Sequence, residues 1–180
     1  MRRSVAAPGS SVDLTNPDPP ERCWGNVKIR STANGKYVAA EKGFSGKDYQ
    51  MLRARTDPSQ VGTWELFRVC RNRDTWHTTI MSYDSNPSIP NGLIWVGATT
   101  FEQGTRRGLL KAFMLEGWVN TIDPYFTTLT EPTGTGGNST WFYSLATGLY
   151  VSAQFDYSGT EYASLRARLG SVGPWESFTW

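Results

Sequence analysis

One histidine and two cysteines are the whole supply of imidazole and thiol side chains in this 180-residue chain. His77 stands in "DTWHTTI" with no nucleophile motif beside it, so it reads as a surface or structural residue. C-x-x-C and mixed His/Cys ligand spacings are missing, and neither a metal nor a cofactor is expected. No apolar run approaches 18 residues, so no helical membrane insertion is expected. Lys and Arg total 18 against 16 acidic residues, a net charge of +2, too small to predict nucleic acid as a partner. The glycines of "EPTGTGGNST" lack the preceding strand and following helix of a phosphate loop and read as a linker between repeats.

Aromatics are plentiful: 13% of residues, eight of them Trp, enough for a well-buried core. Residues 1–22, "MRRSVAAPGSSVDLTNPDPPER", are rich in Pro, Ser and charge. They read as a flexible arm or linker, the remains of a processed leader, or a tail docking a partner subunit. "MRRS" opens like a signal peptide, but the apolar segment that should follow is missing. "NST" at Asn138 is a formal glycosylation sequon.

The rest of the chain is internally repeated. "NGKYVAA", "NGLIWVGA" and "TGLYVSA" place an aromatic at Tyr37, Trp95 and Tyr150; fifteen residues on (37 to 52, 95 to 110, 150 to 165) stand the leucines of "LRAR", "LKAF" and "LRAR". Further on come "WELF" at Trp64, "IDPY" at Ile122 and "WESF" at Trp175, which aligns Ile122, Asp123 and Tyr125 with Trp64, Glu65 and Phe67. Each unit opens with an alternating run ending at Ser31, Ser82 or Ser144. Four short runs per unit, rich in Val, Ile, Tyr, Phe and Trp and broken at Asn-Gly or Thr-Gly, predict strands and hairpins rather than helices. Three such units over residues 23–180 (about 26–70, 77–130 and 138–180) predict an all-β fold. The economical arrangement is a β-trefoil, a six-stranded barrel capped by three hairpins. In that scheme Trp64, Ile122 and Trp175 meet near the axis, and truncating Trp64 to Ala costs about 3–5 kcal/mol.

"VKIRSTANGKYVAAE", "LRAR" and "WELF", with "LYVSAQ", "LRAR" and "GPWESF", resemble the fascin-like β-trefoil family over about residues 26–180. The resemblance implies the trefoil fold. It points to carbohydrate-associated or actin-associated binding roles, without assigning a site, because the shared positions are core and turn residues. The Q-x-W signature of ricin-type sugar-binding trefoils is absent.

Cys23 precedes the first strand and Cys70 ends the fourth strand of the same unit. In a trefoil these strands are antiparallel neighbours, which predicts a disulfide and an oxidising, extracellular setting. The alternative is two separate buried thiols. Glu65, Asp123 and Glu176 recur at one repeat position and read as structural, pairing with Arg53, Lys111 and Arg166 or accepting turn N–H groups.

Divergent loops are the candidate binding positions. "QFDYSGTEYAS" offers Phe155, Asp156, Tyr157 and Tyr162; "EKGFSGKDYQM" offers Phe44, Asp48 and Tyr49. Flat rings beside polar groups suit sugars, whose faces carry C–H groups and whose rims carry hydroxyls. "TTFEQGTRRGL", with Phe101, Arg106 and Arg107, suits an acidic group. The structural alternative is that these rings pack the hairpin cap. The leading expectation is a noncatalytic extracellular glycan-binding module. The second is a protein-interaction module, actin-associated or part of a secreted or virion complex. An enzyme using paired carboxylates ranks third.

Overall fold

Short alternating runs become strands wherever one face can be buried, and the computed structural model, describing residues 20–113, 124–132 and 137–180, contains fourteen of them and no α-helix among those residues. They are β1 (Glu21–Val27), β2 (Arg30–Ser31), β3 (Tyr37–Ala40), β4 (Leu52–Thr56), β5 (Phe67–Asn72), β6 (Thr78–Tyr83) and β7 (Leu93–Ala98) in the first half. β8 (Leu110–Phe113), β9 (Tyr125–Thr128), β10 (Ser139–Thr140), β11 (Phe142–Ser144), β12 (Leu149–Gln154), β13 (Ser164–Leu169) and β14 (Phe178–Thr179) follow. β1 starts within the expected arm; residues 1–19 lie outside the described residues.

Repetition is visible in the register. Val38 faces Ala54, Val96 faces Ala112, and Val151 faces Ala167, so β3–β4, β7–β8 and β12–β13 are three copies of one hairpin. Phe67 pairs with Ser82, Phe126 with Ser144, and Phe178 with Ser31, a second threefold relationship that joins each unit to the next. The expected alignment of the middle unit is therefore off by one: Phe126, not Tyr125, matches Phe67. Phe126 is fully buried while Tyr125 is 42% exposed.

The expected closed six-stranded barrel is not what forms. All strands belong to one antiparallel sheet whose path starts at β1 and ends at β10, with β7 and β8 branching from β6. Twelve runs become fourteen strands because two are interrupted. A register shift between Trp24 and Val27, at Asn26 with φ 54°, breaks the regular pairing within β1, and the run leaves β5 after Val27 to pair with β14 as β2. β10 and β11 are split at Trp141 in the same way, pairing with β14 and β9.

Trp64 and Trp175 do not fill the centre either. Trp64 is half-buried and Trp175 is 37% exposed, while Ile122 lies outside the described residues. The core is built on Phe67, Phe126 and Phe178, each fully buried, with Phe142 packed 5.2 Å from Phe178 and 5.1 Å from Trp180 between ring centres. The reason is local. Trp64 and Trp175 sit in 3₁₀ turns, Thr63–Glu65 and Pro174–Glu176, that turn their side chains outward and leave the Phe to enter the core.

Cys23 and Cys70 are directly opposite on β1 and β5 and are joined by a disulfide, with Cα atoms 4.0 Å apart. The nearby carboxylate of Glu21 completes a group of three metal-type ligands, but both sulfurs are engaged in the bridge.

Candidate functional site

The three hairpin loops share one backbone course. Each makes a 3₁₀ turn (Gly46–Asp48, Gly104–Arg106, Gly159–Glu161) and then a residue with positive φ: Gln50, Gly108 or Ala163. The carbonyls of those residues accept hydrogen bonds around the ring from the N–H groups of Ala112, Ala167 and Ala54 respectively, at 2.8–3.0 Å. At Gly108 the approach is close enough that a Cβ would sit 2.3 Å from the Ala167 carbonyl oxygen, so only glycine fits there.

The same turn position carries Asp48, Arg106 and Glu161. Arg106 Nη1 lies 2.8 Å from Asp48 Oδ1 and 3.3 Å from Glu161 Oε1, while its Nε donates to Glu102 at 2.8 Å. Its Nη2 donates to the Lys47 carbonyl at 2.8 Å. Burial works to lower the Arg106 pKa, but the hydrogen bond and charge of Glu102, together with Asp48, hold it above the ordinary value. Arg106, expected to await an acidic ligand, is thus neutralised from within, and Asp48, expected in a sugar site, is its partner.

The repeated cations also tie the hairpins together. Arg53 Nε donates to the Tyr162 carbonyl and Lys111 Nζ to the Lys47 carbonyl, each at 2.8 Å. Burial lowers the pKa of both. Arg166, fully buried, pairs with Glu161 at 2.9 Å and lies 4.2 Å from the centre of the Tyr157 ring. Of the two roles left open for the repeated carboxylates, the turn role is the one found. Glu65 Oε2 accepts from the Gly62 N–H and Glu176 Oε2 from the Gly173 N–H, both at 2.7 Å. Asp123 lies outside the described residues, and the corrected register puts Pro124 at the Glu position.

The two glutamates differ in one respect. Glu65 Oε1 accepts a 2.8 Å hydrogen bond from Thr56. Leu169 occupies the corresponding place in unit three, opposite Tyr150 as Thr56 is opposite Tyr37. Glu176 Oε1 is therefore buried without a partner among the described residues.

Phe155 and Tyr162 lie 5.9 Å apart between ring centres and edge-on. Trp175 joins them, 5.5 Å from Phe155 at 87°, a contact hidden from sequence reasoning because the tryptophan was assigned to the core. Tyr162 is 44% exposed, Asp156 is exposed, and Phe155 is half-buried against the core. Tyr157 is drawn away: its ring covers Arg166, and its hydroxyl accepts from Arg168 Nη1.

In unit one, Phe44 lies beneath Arg53, 5.6 Å from ring centre to guanidinium carbon, while Tyr49 is 43% exposed. Trp64 walls a cleft of about 330 Å³, lined also by Arg55, Thr56, Gln60, Gly62, Thr63 and Glu65. Glu41, 1% exposed, holds Arg55 with a forked ion pair whose second contact is 2.7 Å. That hydrogen bond raises the Arg55 pKa against the effect of burial.

A solved structure with this arrangement is the designed threefold-symmetric protein ThreeFoil: TM-score 0.55, 12% identity, covering 84% of this chain and 94% of that one. The fold is trefoil-like. No protein-family model and no curated protein sequence matches the chain, so the fascin-like resemblance rests on the quoted phrases alone. At 12% identity the likeness to ThreeFoil bears on the fold and leaves the site to be argued from its own residues.

The remaining motifs have local explanations. His77 packs against Tyr125 at 5.1 Å. The Asn138 amide donates to the Glu131 carbonyl at 3.3 Å. The turn after β6 is built from side-chain caps at Asp84 and Asn86, with Ile89 buried in the core. No helix among the described residues is long and apolar enough to cross a membrane.

Proposed function

We propose that this chain is a noncatalytic glycan-binding module acting outside the cell. The observation that carries the proposal is the outward placement of Trp64 and Trp175. In unit three it puts an indole beside Phe155 and the exposed Tyr162; in unit one it makes the wall of a polar cleft. Sugar rings stack their C–H faces on such surfaces and place their hydroxyls on neighbouring acceptors and donors. In unit one these are the Arg55 guanidinium, the Gln60 amide and the Thr63 hydroxyl; in unit three they are the Asp156 carboxylate and the Tyr162 hydroxyl.

Other features support the same reading. The Cys23–Cys70 disulfide fits an oxidising compartment. The charged groups Asp48, Arg106 and Glu161 between the hairpins pair with one another, leaving the rings and polar groups at the tips to meet a ligand. In this reading the three repeated hairpins of the trefoil-like fold are the scaffold, and their dissimilar tips are the ligand-facing parts.

An array of plant, fungal and bacterial glycans tests the proposal. At least one glycan class is expected to bind, with the signal lost in Trp175→Ala and Tyr162→Ala. Silence across the array, with partner proteins captured instead, would favour the protein-interaction alternative, for which filamentous-actin cosedimentation is the first assay.

A further inference from the structure

The pairing of β1 with β5 places Arg22 directly opposite Arg71. Side chains opposite each other in an antiparallel pair project from the same face a few ångströms apart, and two like charges there repel. Two residues further in, on the same face, Trp24 stands opposite Val69 and packs against the core.

Each arginine lies over a tryptophan. The Arg22 guanidinium carbon is 5.0 Å from the centre of the Trp24 ring, and that of Arg71 is 4.9 Å from the centre of the Trp76 ring. A guanidinium stacked in this way keeps its N–H edges free to fork onto an anion. Arg22 has one carboxylate near it, Glu131 at 3.6 Å, with both side chains substantially exposed. Arg71 has no acidic partner among the described residues, and its covered Nε makes no hydrogen bond there. By strand alternation Glu21 projects from the opposite face, and Asp74 lies in the following turn.

Trp76 adds a second, independent signal. It is 59% exposed and has φ 61°, a left-handed conformation that a bulky side chain rarely adopts. The turn is pinned by Asn72, whose Oδ1 accepts from the N–H groups of Asp74 and Thr75 at 2.9 Å. Strained, exposed residues held by their surroundings concentrate at binding sites.

We infer that Arg22, Arg71, Trp24 and Trp76 form a second site, for an anionic polysaccharide: one carrying carboxylates or sulfates on its sugar rings. The paired cations accept the anionic substituent, and the flanking indoles offer surface to the ring that bears it. An acidic peptide would bring the charge on a flexible stem without a flat C–H face, which leaves the two tryptophans unused. The chain's small net charge does not oppose this, because the two cations are concentrated on one face.

Isothermal titration of the full chain with dextran sulfate, polygalacturonate, size-matched dextran and polyglutamate provides the test. An anionic polysaccharide is expected to bind and neutral dextran not to. Arg71→Gln, Arg22→Gln and Trp76→Gly should each weaken the binding tenfold or more, with thermal midpoints close to wild type. Glycine accepts the backbone conformation at position 76, so that variant keeps the turn. Tyr162→Ala should leave this binding unchanged, separating the site from the hairpin tips. Absence of binding to both anionic polysaccharides, polyglutamate binding of equal strength, or indifference to the two arginine substitutions would each overturn the inference.

Discussion

Arg106 Nη1 lies 2.8 Å from Asp48 Oδ1, and through that contact the second hairpin is held to the first. The same nitrogen reaches Glu161 of the third hairpin at 3.3 Å. Three equivalent turn positions thus carry a negative, a positive and a negative charge, which a strictly identical repeat could not do. Arg106→Met is expected to destabilise by about 3 kcal/mol, because it leaves the largely buried carboxylates of Asp48 and Glu102 without their cation. Urea unfolding measures the loss.

The corrected register of the middle unit gives a paired prediction. Phe126→Ala removes a fully buried ring and should cost about 3–5 kcal/mol. Tyr125→Ala, at a residue 42% exposed, should cost much less, about 1 kcal/mol. Equal effects in chemical denaturation would restore the alignment suggested by "IDPY".

These two residues also show where sequence is a good guide. The hairpins were legible because Val–Ala pairs and Gly turns repeat at fixed spacing, and period-2 burial leaves a pattern in the chain. The disulfide followed from strand adjacency. The outward tryptophans were not legible: hydrophobicity assigns Trp to the core, whereas a Gly N–H bonded to a Glu carboxylate three residues later turns it toward solvent. Gly62-x-x-Glu65 and Gly173-x-x-Glu176 are the signals that would have revealed this. The irregularity at Asn26 within β1 also left no hydrophobic trace, because a backbone bulge is not written in hydropathy.

Glu176 supplies a stabilising substitution. Leu169→Thr would provide Glu176 Oε1 with the hydroxyl that Thr56 gives Glu65. A gain of about 1 kcal/mol is expected in thermal or urea unfolding, since a hydrogen bond to a buried charged group replaces an unmet acceptor.

Reduction of Cys23–Cys70 releases a loop spanning 47 residues. The chain-entropy relation sets the loss at about 4 kcal/mol. Unfolding with and without reductant should show it, and Cys23→Ala/Cys70→Ala should reproduce it without reductant.

Burial lowers the pKa of Lys42 and Lys111 below their ordinary 10.5, outweighing the charges of Asp84 and Glu65 at the first and of Glu102 and Asp48 at the second. The folded chain therefore releases these protons before the unfolded chain does. Between the lowered values and 10.5 the unfolded state holds more protons, so stability contributed by these lysines rises with pH in that alkaline window. Lys111→Met should flatten the rise, as read from urea midpoints across the window.

The central claim is that the turn-borne tryptophans, together with Tyr162, meet the ligand. Indole and amide NMR spectra recorded while adding the strongest array glycan test it most directly. The account predicts shifts for the Trp175 or Trp64 indole and for Tyr162, while the buried Trp180 indole stays fixed. Saturable glycan binding that leaves all three unmoved would contradict it.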